Sequence, residues 1–180
     1  MPTSDTQQHA LTWLMFALMA VASWGLYGVL LHTGQVGMAD PANGRYKAFL
    51  FVGLAYVLTA VLAPLAVLTM NGAAWTFPVK GMLWSLLAGI AGAAGAFCVL
   101  LAFGARGAPS VVMSIVFGGA PVINAVVALL VHPPAGGWTA LRWQFFLGIA
   151  LAAIGGCLVT LYRPAATPPP KPATAPTLVR

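Results

Sequence analysis

The chain has 180 residues, of which 61% are hydrophobic and only 6% are charged, and its net charge is +6. In soluble globular domains roughly a quarter of the residues are charged. This composition therefore excludes a water-soluble fold and indicates an integral membrane protein whose exterior is solvated by lipid. The eight basic residues are scattered singly between apolar runs. They form no basic stripe, which argues against a nucleic-acid partner and makes them markers of membrane topology.

Five apolar runs follow one another, and each is long enough to cross the hydrocarbon layer as a helix, which takes about 20 residues. They cover residues 11–31, 48–70, 82–103, 111–131 and 143–162. None of them contains Asp, Glu, Lys or Arg. Because lipid offers the backbone no hydrogen bonds, each run is expected to be helical. The sequence therefore predicts an all-α membrane protein in which a bundle of five transmembrane helices occupies residues 11–162.

Both ends of the chain fall outside these runs. Residues 1–10 are predicted to form a short outer N-terminus, and the proline-rich residues 163–180 a disordered cytoplasmic tail. A signal peptide is the alternative for the first run, because Ala20-Val21-Ala22 resembles a cleavage site. The absence of Lys and Arg from residues 1–10, and the continuation of the apolar run to Leu31, favour a mature helix.

The distribution of basic residues predicts the orientation. The N-terminus and the second and fourth connections share one side, which holds Lys80 and Arg142. The first and third connections and the tail share the other side, which holds Arg45, Lys47, Arg106, Arg163, Lys171 and Arg180. Because Lys and Arg are enriched on the cytoplasmic side, this bias favours an outer N-terminus and a cytoplasmic C-terminus.

Residues for catalysis, a metal or a cofactor are not apparent. His32 and His132 fall at opposite ends of their runs, roughly 30 Å apart across the membrane, so they cannot share a metal ion. No acidic residue lies within any run, and therefore paired carboxylates are missing as well. The sequence predicts that the protein is not an enzyme, and a membrane enzyme is the weakest interpretation.

Polar side chains and helix interruptions gather near the middle of the runs. Pro121 has no N–H for the carbonyl of Phe117, so water, a polar side chain or a solute is expected to meet that carbonyl. Interrupted helices with polar groups at mid-depth are typical of transporter binding sites. The residues predicted to line a solute path are Trp24, Tyr27, Thr59, Ser114, Pro121 and Asn124. The alternative is a packed kink, with ordinary aromatic packing for Trp24 and Tyr27.

Small residues dominate the third run. Ala88, Gly92 and Ala96 are spaced four apart and share one helix face, which lets another helix backbone approach closely. Packing within one subunit is favoured over a dimer seam. In the fifth run, Gly148 with Ala152 and the Gly155-Gly156 pair offer the same kind of contact.

Several short motifs resemble the EamA-like repeat of the drug/metabolite transporter superfamily. The opening Ser23-Trp24-Gly25-Leu26-Tyr27-Gly28 is similar to the first helix of that repeat, and the passage from Ala105-Arg106-Gly107-Ala108-Pro109-Ser110 to Ala120-Pro121 to its third and fourth helices. Gln144, Gly148-Ile149 and Gly155-Gly156 resemble its last helix. The resemblance covers residues 11–162 and implies one five-helix half of a secondary transporter with a central cavity.

The resemblance implies a half-size transporter subunit in a bacterial plasma (inner) membrane, moving a small neutral or amphipathic solute as a dimer or with a homologous partner. The charge bias opposes an antiparallel homodimer and favours a separately encoded partner. The chain departs from the family at His132-Pro133-Pro134, where an acidic residue is common, and it has no membrane-embedded Glu for proton coupling. The alternative is a non-transporting accessory or scaffold protein, or a degenerate half-transporter, because functional sites in bilayers usually hold ionisable groups.

Overall fold

The computed structural model describes residues 4–134, 136–137 and 140–163, and these residues contain five long helices and no strand. The helices are α1 (Ser4–Gly37), α2 (Gly44–Met70), α3 (Val79–Gly104), α4 (Pro109–Val131) and α5 (Trp143–Leu161). Each contains an apolar stretch of 19 to 27 residues that is long enough to cross a membrane. The predicted all-α chain with five such helices is confirmed, and it indicates an integral membrane protein.

Helix ends differ from the apolar runs by a few residues, most of all around the first connection. The helix α1 continues to Gly37, and α2 already begins at Gly44, so the connection is much shorter than residues 32–47. Apolar composition marks the part of a helix that lies in lipid, whereas the backbone stays helical beyond that boundary. The predicted tail lies outside the described residues, apart from Arg163.

The middle of α2 is π-helical over Val57–Leu62, which the sequence reasoning did not predict. The N–H of Ala63 donates to the carbonyl of Leu58, five residues earlier, instead of to the residue four back. Pro64 follows directly, and without an N–H it cannot bond to the carbonyl of Ala60. We attribute the widened turn to this missing bond, because a wider turn lets neighbouring donors take over the freed carbonyls.

The buried hydrophobic side chains all lie at one end of the bundle, the end that carries the α1–α2 and α3–α4 connections. They are Leu31, Ala48, Ala96, Val99, Leu100, Phe103 and Met113, as far as the chain is described. We call this the packed end. Here α1 contacts α2, α3 and α4, and α3 contacts its neighbours α2 and α4. The packed end therefore holds four of the five helices together.

Away from the packed end the helices separate. From Val57 onward, the described residues of α2 approach no other long helix, and α5 approaches only α4. Large side chains in these parts of the bundle are exposed, for example Leu58, Ile90 and Ile123 at 54%, 56% and 66% of their surface. The single chain is thus closed at one end and open at the other.

The C-terminus of α3 predicts a stabilising substitution. Arg106 has a φ of 67°, in the left-handed region that disfavours any residue with a Cβ, and the N–H of Gly107 bonds to the carbonyl of Ala102 at 2.9 Å. Replacing Arg106 with glycine should stabilise the fold by about 0.5–1 kcal/mol, because glycine adopts this conformation without strain. Thermal unfolding in detergent micelles measures the gain. Arg106→Ala removes the same charge but keeps the Cβ, so an equal gain in that variant would contradict the explanation.

Candidate functional site

The six residues predicted to line a solute path do not meet in one cavity of the single chain. Trp24 lines a cavity of about 490 Å³ between α1, α3 and α4. Tyr27 lines a second one, of about 400 Å³, between α1 and α2. Ser114 lines a third, of about 590 Å³, whose lining residues come from α1, α4 and α5. Thr59, Pro121 and Asn124 line none of these three cavities, and their side chains are exposed.

Trp24 and Tyr27, which line the first and the second cavity, pack against each other. Their ring centroids are 5.3 Å apart and the ring planes are tilted by 59°. The Tyr27 hydroxyl is buried and has no hydrogen-bond partner within the structure described. An unpartnered hydroxyl in an apolar bundle is costly, so water or a ligand group is expected to reach it.

The small residues that are spaced four apart in α3 differ in their burial. Ala96 is buried at the packed end, whereas Ala88 and Gly92 are exposed. A Cβ added to Gly92 would meet no atom within 4 Å. Gly92, Gly95 and Ala96 line the same cavity as Trp24. The cavity is therefore bordered by a helix face without bulky side chains and by an aromatic ring.

The closest approach between helix backbones occurs between α4 and α5 instead. A Cβ on Gly118 would lie 3.1 Å from the Cα of Gly156, and a Cβ on Gly156 would lie 2.9 Å from the carbonyl oxygen of Ser114. Small residues allow helices in lipid to approach in this way. The Gly155-Gly156 pair in the sequence indicated a close contact of this kind, but the sequence did not identify Gly118 as its partner.

Two of the predicted polar residues bond within their own helices. The Thr59 hydroxyl donates to the carbonyl of Ala55 at 2.9 Å, and the Ser114 hydroxyl donates to the carbonyl of Ser110 at 2.6 Å. Hydroxyls commonly satisfy themselves in this way inside membrane helices. Pro121 lies within a single helix that runs from Pro109 to Val131. Among the residues described, no group of three or more His, Cys, Asp or Glu lies close enough to hold a metal ion.

A row of polar groups along α1 was missed by the sequence reasoning. His32 Nδ1 and Gln35 Oε1 are buried and have no hydrogen-bond partner among the described residues, and the same holds for the Tyr27 hydroxyl earlier in the helix. The His32 ring packs edge-on against Phe103, with 5.5 Å between the centroids. Tyr27 had been predicted to line a solute path and His32 had been noted at the end of an apolar run, but Gln35 was not identified, and the spacing gave no sign that the three groups form one row.

The row ends at a polar cavity of about 340 Å³, which we call the interfacial cavity. Its lining residues are Gln35, Val36, Ala39, Asp40, Pro41, Arg45 and Gly104. The Arg45 guanidinium lies directly over Gly104, where a Cβ would collide with it. The cavity thus lies between the C-terminal ends of α1 and α3 and the N-terminal end of α2.

Asp40 orders the connection beside this cavity. Its Oδ1 accepts hydrogen bonds from the N–H groups of Ala42 at 3.1 Å and Asn43 at 2.9 Å, and its Oδ2 pairs with the Lys47 ammonium at 2.7 Å. These bonds, first the one from Lys47 and then the one from Asn43, lower the pKa of the Asp40 carboxyl below its ordinary value. Asp40 is therefore ionised throughout the physiological pH range.

No family model, curated protein or solved structure matches this chain. The described residues define an all-helical chain, and five of its helices are long and apolar enough to span a membrane. Its distinguishing features are packing at one end and separate cavities between the helices.

Proposed function

We propose that the chain is a half-size secondary transporter subunit of the drug/metabolite transporter type, which moves a small neutral or amphipathic solute. The observation that supports this proposal is the one-sided packing of the bundle. Four helices meet at the packed end, while the rest of α2 and α3 stands apart. A bundle that is closed at one end and open at the other could form one half of an alternating-access transporter, in which two halves move against each other around a site at mid-depth.

The irregular helices add support. The π-helical segment of α2 surrounds Thr59, and Pro121 interrupts the hydrogen bonding of α4 near its middle. Pro121 has no N–H for the carbonyl of Phe117, and lipid offers no donor in its place. Irregular turns such as the π-helical segment concentrate at functional sites. In our proposal, the Phe117 carbonyl and the Asn124 amide interact with a solute that is polar enough to bond to them.

The separated helices also require a partner. We propose that a second copy or a homologous chain covers the open surface, which would bring the residues of the path together. Arg45, Lys47 and Arg106 lie at the packed end, and Lys80 and Arg142 near the other. In our proposal the packed end faces the cytoplasm of a bacterial plasma (inner) membrane and the N-terminus lies outside. A separately encoded partner of opposite orientation fits this bias better than an antiparallel homodimer.

Cysteine accessibility from both membrane sides tests the proposal. In a background with Cys98→Ala and Cys157→Ala, Asn124→Cys is exposed to a membrane-impermeant methanethiosulfonate in right-side-out and inside-out vesicles. Alternating access predicts reaction from both sides, because the reactive thiolate forms where water reaches the sulfur. The matched control is Val126→Cys, because side chains two positions apart on a helix point to nearly opposite faces.

Two outcomes separate the proposed functions. Reaction of Asn124→Cys from both sides, with little reaction of Val126→Cys, supports a transporter subunit. A sulfur that is unreactive from both sides, or reached from one side alone, contradicts alternating access. That result favours the accessory or scaffold function, which the lack of acidic side chains in the apolar runs also favours.

A further inference from the structure

The interfacial cavity contains a cation that pairs with no carboxylate of the residues the structure describes. The chain has only two acidic residues, Asp5 and Asp40. In the described part of the chain the single ion pair joins Asp40 to Lys47, which leaves Arg45 without a carboxylate. The Arg45 guanidinium touches the Tyr46 ring, 5.4 Å from its centroid, and lies over Gly104. Its planar donors therefore remain available to a ligand, and phosphate is the anion that they match in bidentate geometry.

The same cavity also offers hydrogen-bond acceptors. Gln35 Oε1 is buried and has no partner in the structure described. Asp40 Oδ2 accepts one bond from Lys47, and a carboxylate oxygen can accept a second. Asp40 is partly open to the cavity, with 24% of its side chain exposed. These acceptors suit a group that carries several N–H donors, such as a primary ammonium.

The helix ends favour the same distribution of charge. The cavity lies at the N-terminal end of α2, where the helix dipole attracts anions. It also borders the C-terminal ends of α1 and α3, where exposed carbonyls attract cations. Ala39, which lines the cavity, has a φ of 51°, a strained conformation of the kind found at functional sites. A zwitterion with its anion towards α2 thus matches both the side chains and the dipoles.

The position of the cavity relative to the membrane indicates where the zwitterion comes from. Gln35 lies two residues before the end of α1, and Arg45 is the second residue of α2. Both helices leave the apolar layer here, at the level where phospholipid headgroups lie. A cavity of about 340 Å³ is at the lower end of the range for ligand pockets and is large enough for a phosphate with a short amine arm.

We propose that the interfacial cavity binds the headgroup of a zwitterionic aminophospholipid, with its phosphate on Arg45 and its ammonium on Gln35 and Asp40. The lipid fills the space between the ends of α1, α2 and α3 at the packed end. This inference rests on the chain lying in a membrane and does not depend on whether it transports a solute.

Native mass spectrometry of the purified full-length protein tests the site. Three lipids with identical acyl chains are titrated: phosphatidylethanolamine, phosphatidylcholine and phosphatidylglycerol. We expect phosphatidylethanolamine to bind most tightly, because the choline lipid has no N–H donor and the glycerol lipid has no cation. Tighter or equal binding of either of the other two lipids would overturn the proposal.

Single substitutions assign the two groups of the headgroup. Arg45→Gln should weaken the binding of phosphatidylethanolamine about tenfold, the usual effect of losing a hydrogen bond to a charged group. Gln35→Leu should weaken the binding of phosphatidylethanolamine but not that of phosphatidylcholine, so the difference between the two lipids should become smaller. The matched control is Arg106→Gln, because Arg106 is a basic residue of the α3–α4 connection that does not line the cavity. An equal loss in the control and in Arg45→Gln would show a general charge effect and overturn the site.

Alternative variants and a soluble competitor complete the lipid-binding experiment. If Arg45→Gln fails to fold, Arg45→Lys and Gln35→Leu carry the test, since the first keeps the charge without the bidentate geometry and the second leaves Arg45 in place. Soluble phosphoethanolamine is added as a competitor without acyl chains. Displacement of the lipid at an equal concentration of the competitor would identify a site for a free zwitterion and overturn a lipid site.

Discussion

Replacing Gly156 with alanine should weaken the docking of α5 on α4 by about 2–3 kcal/mol, near the upper end for overpacking. The new methyl carbon would lie 2.9 Å from the carbonyl oxygen of Ser114 and 3.1 Å from the Cα of Gly118. Both are backbone atoms, so no side chain can rotate away and the helices must separate. Because α5 approaches no other helix in the described structure, nothing else holds it in place. Thermal unfolding in detergent micelles measures the loss.

The neighbouring glycine provides the control. A Cβ on Gly155 would meet no atom within 4 Å, so Gly155→Ala should leave stability unchanged or raise it slightly through better helix propensity. Gly118→Ala should reproduce much of the loss, since its Cβ would lie 3.1 Å from Gly156 Cα. If Gly155→Ala and Gly156→Ala are equally stable, α5 is not held by this backbone contact.

The five helices could be predicted from the sequence because the membrane imposes a simple rule. A stretch such as residues 82–103, without a charged side chain and longer than the hydrocarbon layer, can satisfy its backbone in lipid only as a helix. The ends of the helices follow a different rule. Arg45 and Lys47 are charged and still lie in the first turn of α2, since a helix continues into the headgroup layer.

The candidate site was less predictable. The sequence indicates how deep each residue lies in the membrane, but it says little about how each helix is rotated about its own axis. These helices are apolar on all sides, so no amphipathic pattern indicates which face points inward. Trp24 and Tyr27 share a face and still line different cavities. Thr59 was selected for its depth, yet its hydroxyl bonds to its own helix.

The missed groups lie at the packed end, where sequence reasoning assigned only topology. Gln35 belonged to a predicted loop, and Arg45 counted as a marker of the cytoplasmic side. Their meeting in one cavity depends on the short turn from Gly37 to Gly44 and on Gly104 from α3, which is far away in the sequence. Contacts of this kind come from tertiary packing, which a single sequence without helix periodicity does not specify.

The packed end depends most on Leu100, whose truncation has the largest effect that we expect on the fold as a whole. Leu100 is fully buried, with 0% of its surface exposed, and lies in the same cluster as Leu31, Phe103 and Met113. In lipid, exposing an apolar side chain is not itself unfavourable, so the stability comes from van der Waals contacts. Leu100→Ala leaves a cavity and should cost about 2–4 kcal/mol in an SDS titration of the folded protein in micelles.

The adjacent leucine tests whether this cost belongs to the packed end. Leu101 is 37% exposed, so Leu101→Ala removes the same atoms from a side chain with fewer contacts and should cost less than about 1 kcal/mol. Ile90→Ala, nearer the open end of the same helix, should cost equally little, since Ile90 is 56% exposed. Similar losses at all three positions would mean that α3 is packed along its whole length. The bundle would then have no open end, and the main structural support for a half-transporter would be lost.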